Sequence, residues 1–160
     1  MIRTVMAMKF ECTHDHHNAA AEWQKRDIYE WITDVFEAPA ITVCPGSTND
    51  IRAHINTEFE AEGWALNVKI DQELSNTITA MKGDLAFQIQ TGNMSRAPYD
   101  LLKLQYLFQS RKIAAAAFAL PTKFAASKIG SNIAYFERMC KELTVFDRVI
   151  TVSILVVAFE

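Results

Sequence analysis

Apolar residues recur along the chain with two different periods, and the period separates strands from helices. Residues 84–90 alternate: Leu85, Phe87 and Ile89 are apolar, while Asp84, Ala86, Gln88 and Gln90 fall on the other face of the same strand. Two glutamines and a carboxylate therefore line one side of it, just before the turn-forming Thr91-Gly92-Asn93. Residues 113–120 and 149–159 are continuous apolar runs, the pattern of strands buried on both faces. Residues 4–11, 41–44 and 64–70 predict three further strands, and the polar residues 71–76 predict a turn.

Helical spacing marks the rest. Over residues 19–36, Trp23, Ile28, Trp31, Ile32 and Val35 form one stripe. A second helix follows Pro45-Gly46, with Ser47 or Thr48 as cap, Asp50 near its positive end, Ile51, Ile55 and Phe59 inward, and Gly63 as stop. Residues 99–111 predict a helix with Leu101, Leu104 and Leu107 on its apolar side, residues 122–129 a short one ended by Gly130, and residues 131–143 another. A strand at 84–90, a helix at 99–111 and a buried strand at 113–120 predict a parallel crossover, since parallel neighbours need such a connection. The fold class expected is α/β, with a mixed central sheet flanked by helices.

The chain has 160 residues, half of them hydrophobic, and no linker or repeat divides it, so one domain over 1–160 is expected. A net charge of −3 gives no global basic field for unspecific attraction to nucleic acid or membrane, though a local basic patch remains open. Cys12, Cys44 and Cys140 have no paired spacing, as expected of buried thiols in a reducing, cytoplasmic setting. No apolar run is long enough to span a bilayer as a helix.

The sequence holds no phosphate-binding glycine loop, nucleophile elbow or paired-cysteine metal module. His14, His16 and His17 beside Cys12 and Asp15 have metal-ligand chemistry. H-D-H-H, however, sets neighbours on opposite sides of the chain and lacks the separated ligand pairs of a zinc module, so a solvated loop is expected.

The remaining chemistry lies in K-G-D-L-A-F-Q-I-Q-T-G-N, then Y-D-L-L-K-L-Q, A-F-A-L-P-T-K and G-S-N-I-A-Y-F-E-R, ahead of an apolar final strand. In order and wording these segments resemble the BglII/BamHI-type branch of the PD-(D/E)xK nucleases. There an Asp, a turn and a strand carrying E-x-Q hold magnesium and position the attacking water. The resemblance implies a restriction-endonuclease-like fold, a homodimer, and sequence-specific recognition of double-stranded DNA with Mg2+-dependent hydrolysis. It sets the family's Asp at Thr79, its Glu at Gln88 and its Gln at Gln90, with Lys82 in the intervening turn, so two carboxylates are replaced by neutral ligands. Four readings stay open: a nuclease inactivated by mutation, a nuclease in which Asp84, Asp71 or Glu73 supplies the metal ligand, a DNA-binding protein that does not cut, and an interaction domain without nucleic acid. Asn93, Ser95, Arg96, Lys123 and Lys128 are the expected DNA contacts.

Overall fold

The three most apolar runs stand side by side at the centre of one sheet. In the computed structural model, which describes residues 6–160, they are β4 (Leu85–Ile89), β5 (Ala115–Pro121) and β6 (Ser153–Phe159), all parallel. Antiparallel strands complete the sheet: β1 (Phe10–His16) on β6, and β3 (Thr77–Lys82) then β2 (Ala65–Lys69) beyond β4. The order is β1-β6-β5-β4-β3-β2. The mixed central sheet is as predicted, and β4 and β5 are joined by a helix, α4 (Ala97–Gln109).

Period-two alternation within the runs divides the core. Leu85, Phe87, Ile89, Ala117, Leu155 and Val157 belong to one cluster, with Trp23, Phe36 and Phe59. Ala86, Ala116, Phe118, Ile154 and Val156 belong to the other, with Leu101, Leu104 and Leu107 of α4 and Met139 and Leu143 of α6 (Phe136–Val145). Helices α1 (Ala19–Lys25), α2 (Tyr29–Asp34) and α3 (Thr48–Ala61) cover the first face through Trp23, Ile32, and the Ile51–Ile55–Phe59 stripe. A short α5 (Lys123–Ile129), capped by the Thr122 hydroxyl accepting from the Ala125 amide, joins them there through Ala125.

Several predicted elements are corrected. The helix expected over 19–36 breaks into α1 and α2, because Asp27 takes a left-handed conformation (φ 58°) that an aspartate tolerates better than most residues. Residues 41–44 form no strand: between two prolines they are too short to build a ladder, and Ile41 instead accepts from the Met8 amide and donates to the Ala38 carbonyl in a local turn. The first strand begins at Phe10, and the Thr4 and Val5 part of the predicted one lies outside the described residues. The 12–18 segment expected as a loop is strand through His16; at the sheet edge, polar residues on the outward face still pair through their backbone. The helix expected from Ser131 starts at Phe136, because residues 132–134 instead pair with the loop after β4, through the Met94 and Ala134 amides. Cys12 and Cys44, expected to be buried, are exposed.

Candidate functional site

The site begins where two strands part. A two-residue hairpin joins β3 to β4, with Gly83 at a positive φ of 57° that suits glycine, and the ladder pairs Lys82 with Leu85 and Ala80 with Phe87. Beyond that pair, side chains replace the ladder. The Thr79 amide donates to Gln88 Oε1 at 2.9 Å, the Thr79 hydroxyl donates to the same oxygen at 3.0 Å, and the Ile89 amide donates to Thr79 Oγ1 at 3.2 Å. The diverging strands open a polar cavity of 370 Å³.

The N-terminal turn of α4 closes the fork. It brings in Asp100, which is only 3% exposed, and Lys103 one turn later. Gln88 Nε2 donates to Asp100 Oδ1 at 2.9 Å and Gln90 Nε2 donates to Asp100 Oδ2. The Lys103 ammonium lies 3.0 Å from Asp100 Oδ1 and donates to the Thr77 carbonyl at 2.8 Å. Burial pushes the Asp100 carboxyl above its ordinary range, while the Lys103 charge and the two amide donors pull against that. Gln90 Oε1 accepts from the Gly92 amide at 2.9 Å, and a Cβ on Gly92 would stand 3.0 Å from that oxygen, so a side chain there would crowd the network.

The sequence-predicted residues divide. Thr79, Gln88, Gln90 and Arg96 line this cavity together with Arg52, Asn56, Tyr99, Asp100 and Lys103. Asp100 and Lys103 were missed, although they stand in the Y-D-L-L-K segment; their i, i+3 spacing at a helix start is the available signal. Gln88 and Gln90, at 7% and 4% exposure, are not on a solvated face. Asp84 does not join them: it lines a separate depression with Trp31 and Trp64, held by two hydrogen bonds of 3.0 and 2.7 Å from Arg26. The expectation that it shares the glutamines' face is corrected, because the hairpin turn points it back toward α1. Lys82 lines the same depression and donates to the Glu62 carbonyl. Asp71 caps its own turn, accepting from the Glu73 and Leu74 amides, and Glu73 is exposed. Asn93 accepts from the Ser95 amide, while Lys123 and Lys128 on α5 lie over the Tyr135 and Phe124 rings.

The Arg26 guanidinium holds Asp84 below the usual carboxylate range, but the carboxylate is 54% exposed. Asp84→Asn is therefore expected to cost less than about 1 kcal/mol in urea unfolding. A clearly larger loss would show that the Arg26–Asp84 pair anchors the hairpin to α1.

A parallel-centred mixed sheet, forked at β3–β4 and flanked by helices, is the fold of restriction endonucleases. It superposes on a crystal structure of restriction endonuclease BglII complexed with a DNA 16-mer, with a TM-score of 0.78, 14% identity and coverage of 96% of this chain and 78% of that one. Free BglII gives a TM-score of 0.72 at 15% identity, covering 96% and 79%. The family model described as restriction endonuclease BglII/BglIII matches residues 12–159, and the chain belongs to that family. No curated protein sequence matches it. No helix among the described residues is long and apolar enough to cross a membrane.

The family's use of a divalent metal raises the question of fit. A hard cation such as magnesium takes anionic oxygens. Among the described residues Asp100 is the one carboxylate lining the cavity, and its two oxygens already accept from Gln88, Gln90 and Lys103. The Thr79 hydroxyl and the Gln88 amide oxygen are committed to each other. These residues do not fit magnesium: the Lys103 ammonium already supplies the positive charge that the carboxylate requires.

Proposed function

We propose that the chain is a restriction-endonuclease-like protein that holds duplex DNA over this cleft and leaves the DNA backbone intact. The observation that carries the reading is the charge of the cavity: Arg52, Arg96 and Lys103 line it against the single carboxylate of Asp100, in a chain whose net charge is −3. Local positive charge in an acidic chain suits phosphate contacts. The saturated Asp100 network supports retention without hydrolysis over the alternative of Mg2+-dependent cutting. Arg52 and Arg96 bring positive charge to the cavity, and the Arg52 Nε–Thr91 Oγ1 contact of 3.5 Å orients one of them.

A band-shift titration with a duplex library at low and moderate salt tests this. Arg52→Ala and Arg96→Ala are each expected to weaken retention across sequences and to reduce the salt slope by about 1. Absence of retention at low salt would leave the interaction-domain reading, and cutting of duplex DNA by the unaltered chain with Mg2+ or Mn2+ would overturn the noncutting one.

A two-fold homodimer belongs to the same proposal, because a symmetric duplex site is read by two identical modules. Tyr99, Leu102 and Tyr106 are exposed along α4, and Val145, Phe146 and Val149 at the end of α6, which supports a further contact surface. Phe108, in contrast, packs partly against the core. A monomer by light scattering at micromolar concentration, with and without DNA, would count against the dimer.

A further inference from the structure

The segment H-D-H-H acquires a property in the fold that alternation along a strand denies it. His16 ends β1 and is 4% exposed, with its Nε2 at 2.6 Å from the Ile150 carbonyl. A carbonyl only accepts, so Nε2 carries the proton and Nδ1 keeps its lone pair, the arrangement that orients metal-binding histidines. The next residue, His17, is left-handed (φ 53°), which breaks the alternation and turns its ring to the same side. The two ring centroids are 4.2 Å apart. From the turn before β6, Asp147 meets them: its Oδ1 is 3.1 Å and its carbonyl 2.8 Å from His17 Nε2. One ligand atom from each of His16, His17 and Asp147 lies within 4.8 Å of the other two.

We propose that His16, His17 and the Asp147 carboxylate form a binding site for a divalent transition metal ion of the zinc class, clamping the end of β1 to the turn that leads into β6. Two imidazoles and one carboxylate suit zinc, whereas magnesium prefers oxygen donors throughout. Ligand atoms about 2.0–2.1 Å from a tetrahedral ion stand about 3.4 Å apart, and His17 Nε2 and Asp147 Oδ1, at 3.1 Å, already match that spacing. His17 and Asp147 are exposed and move inward by side-chain rotation; the ion takes the place of the proton on His17 Nε2, which passes to Nδ1 or to solvent. The exposed side leaves a fourth position to water. Because β1 is an edge strand and β6 runs parallel to β4, the site lies three strands away from β4 and at the opposite end of the sheet from Gln88 and Gln90, so it is separate from the proposed DNA cleft.

Calorimetric titration of the chelator-treated full chain with Zn2+, and separately with Mg2+, tests the site. One equivalent of Zn2+ per chain is expected, with no Mg2+ binding that depends on these residues. His17→Ala and Asp147→Ala, both surface changes, are each expected to weaken Zn2+ binding by at least about tenfold, with circular dichroism and DNA retention unchanged. A Cys12→Ser/Cys44→Ser chain is expected to bind as before, since the thiols are not ligands. The proposal is overturned if Zn2+ fails to bind, if His17→Ala/Asp147→Ala binds as the unaltered chain does, or if only the cysteine variant loses the ion.

Discussion

Thr79→Asp together with Gln88→Glu is expected to give the chain Mg2+ binding and, with it, Mg2+-dependent cutting of duplex DNA. The substitutions add two anionic oxygen groups facing each other across the strand fork, beside Gln90 and within reach of Asp100. Without metal, three carboxylates would crowd the fork, where of the cavity's cations Arg52, Arg96 and Lys103 only Lys103 is paired with Asp100, and like charges at that range disfavour the fold. Magnesium relieves the repulsion, so the variant's melting temperature is expected to rise with Mg2+, by the equivalent of about 2.7 kcal/mol at one hundred times Kd, while the unaltered chain shows no such rise. Gln88→Glu alone is expected to recover only part of the effect. Calorimetry reports metal binding independently of cutting. A doubly substituted chain that retains DNA, yet gains neither Mg2+-dependent stability nor cleavage, would require the assignment of Thr79 and Gln88 to metal-ligand positions to be abandoned.

Asp100→Asn is expected to destabilise the chain by about 3–5 kcal/mol in urea unfolding, because it leaves the Lys103 ammonium buried without its counter-charge. Lys103 is 8% exposed. The pair Asp100→Leu/Lys103→Met removes both charges and is expected to recover most of the loss, since a buried ion pair contributes little relative to apolar residues of similar volume. The titration of Asp100 has a definite sign. Its folded carboxyl is raised, chiefly by burial, so in the pH window between the unfolded and the folded value, and only there, the folded chain holds a proton that the unfolded chain has released. Stability from this group is present below the ordinary aspartate range and is lost as pH rises through the folded value. Lys103→Met removes the main opposing charge, so the decline is expected to extend to higher pH. A loss below about 1 kcal/mol for Asp100→Asn would mean that water, not Lys103, satisfies the carboxylate.

Much of the architecture follows from local pattern. The apolar runs of β5 and β6 name themselves as strands covered on both faces, and alternation in β4 separates Phe87 from Gln88. The stripe of Leu101, Leu104 and Leu107 marks α4 as the crossover helix between β4 and β5. Period states which way a side chain points, and burial of apolar area does the rest.

Period does not state what a side chain meets. Asp100 is an ordinary first-turn carboxylate in the sequence, and it becomes the centre of the site only because α4 returns its N-terminal turn to the end of β4, against Gln88 and Gln90. Asp84 has the better sequence credentials, yet the hairpin turn and the reach of Arg26 draw it into another depression. His16 and His17 read as divergent neighbours until a single left-handed residue brings their rings together, and Asp147 arrives from 130 residues away. Sequence alone determined the apolar strands β4, β5 and β6, the buried stripes of α3 and α4, and the residue types at the fork. Tertiary closure decided which polar groups face one another, because those contacts join positions far apart in the chain and are set by how the elements pack.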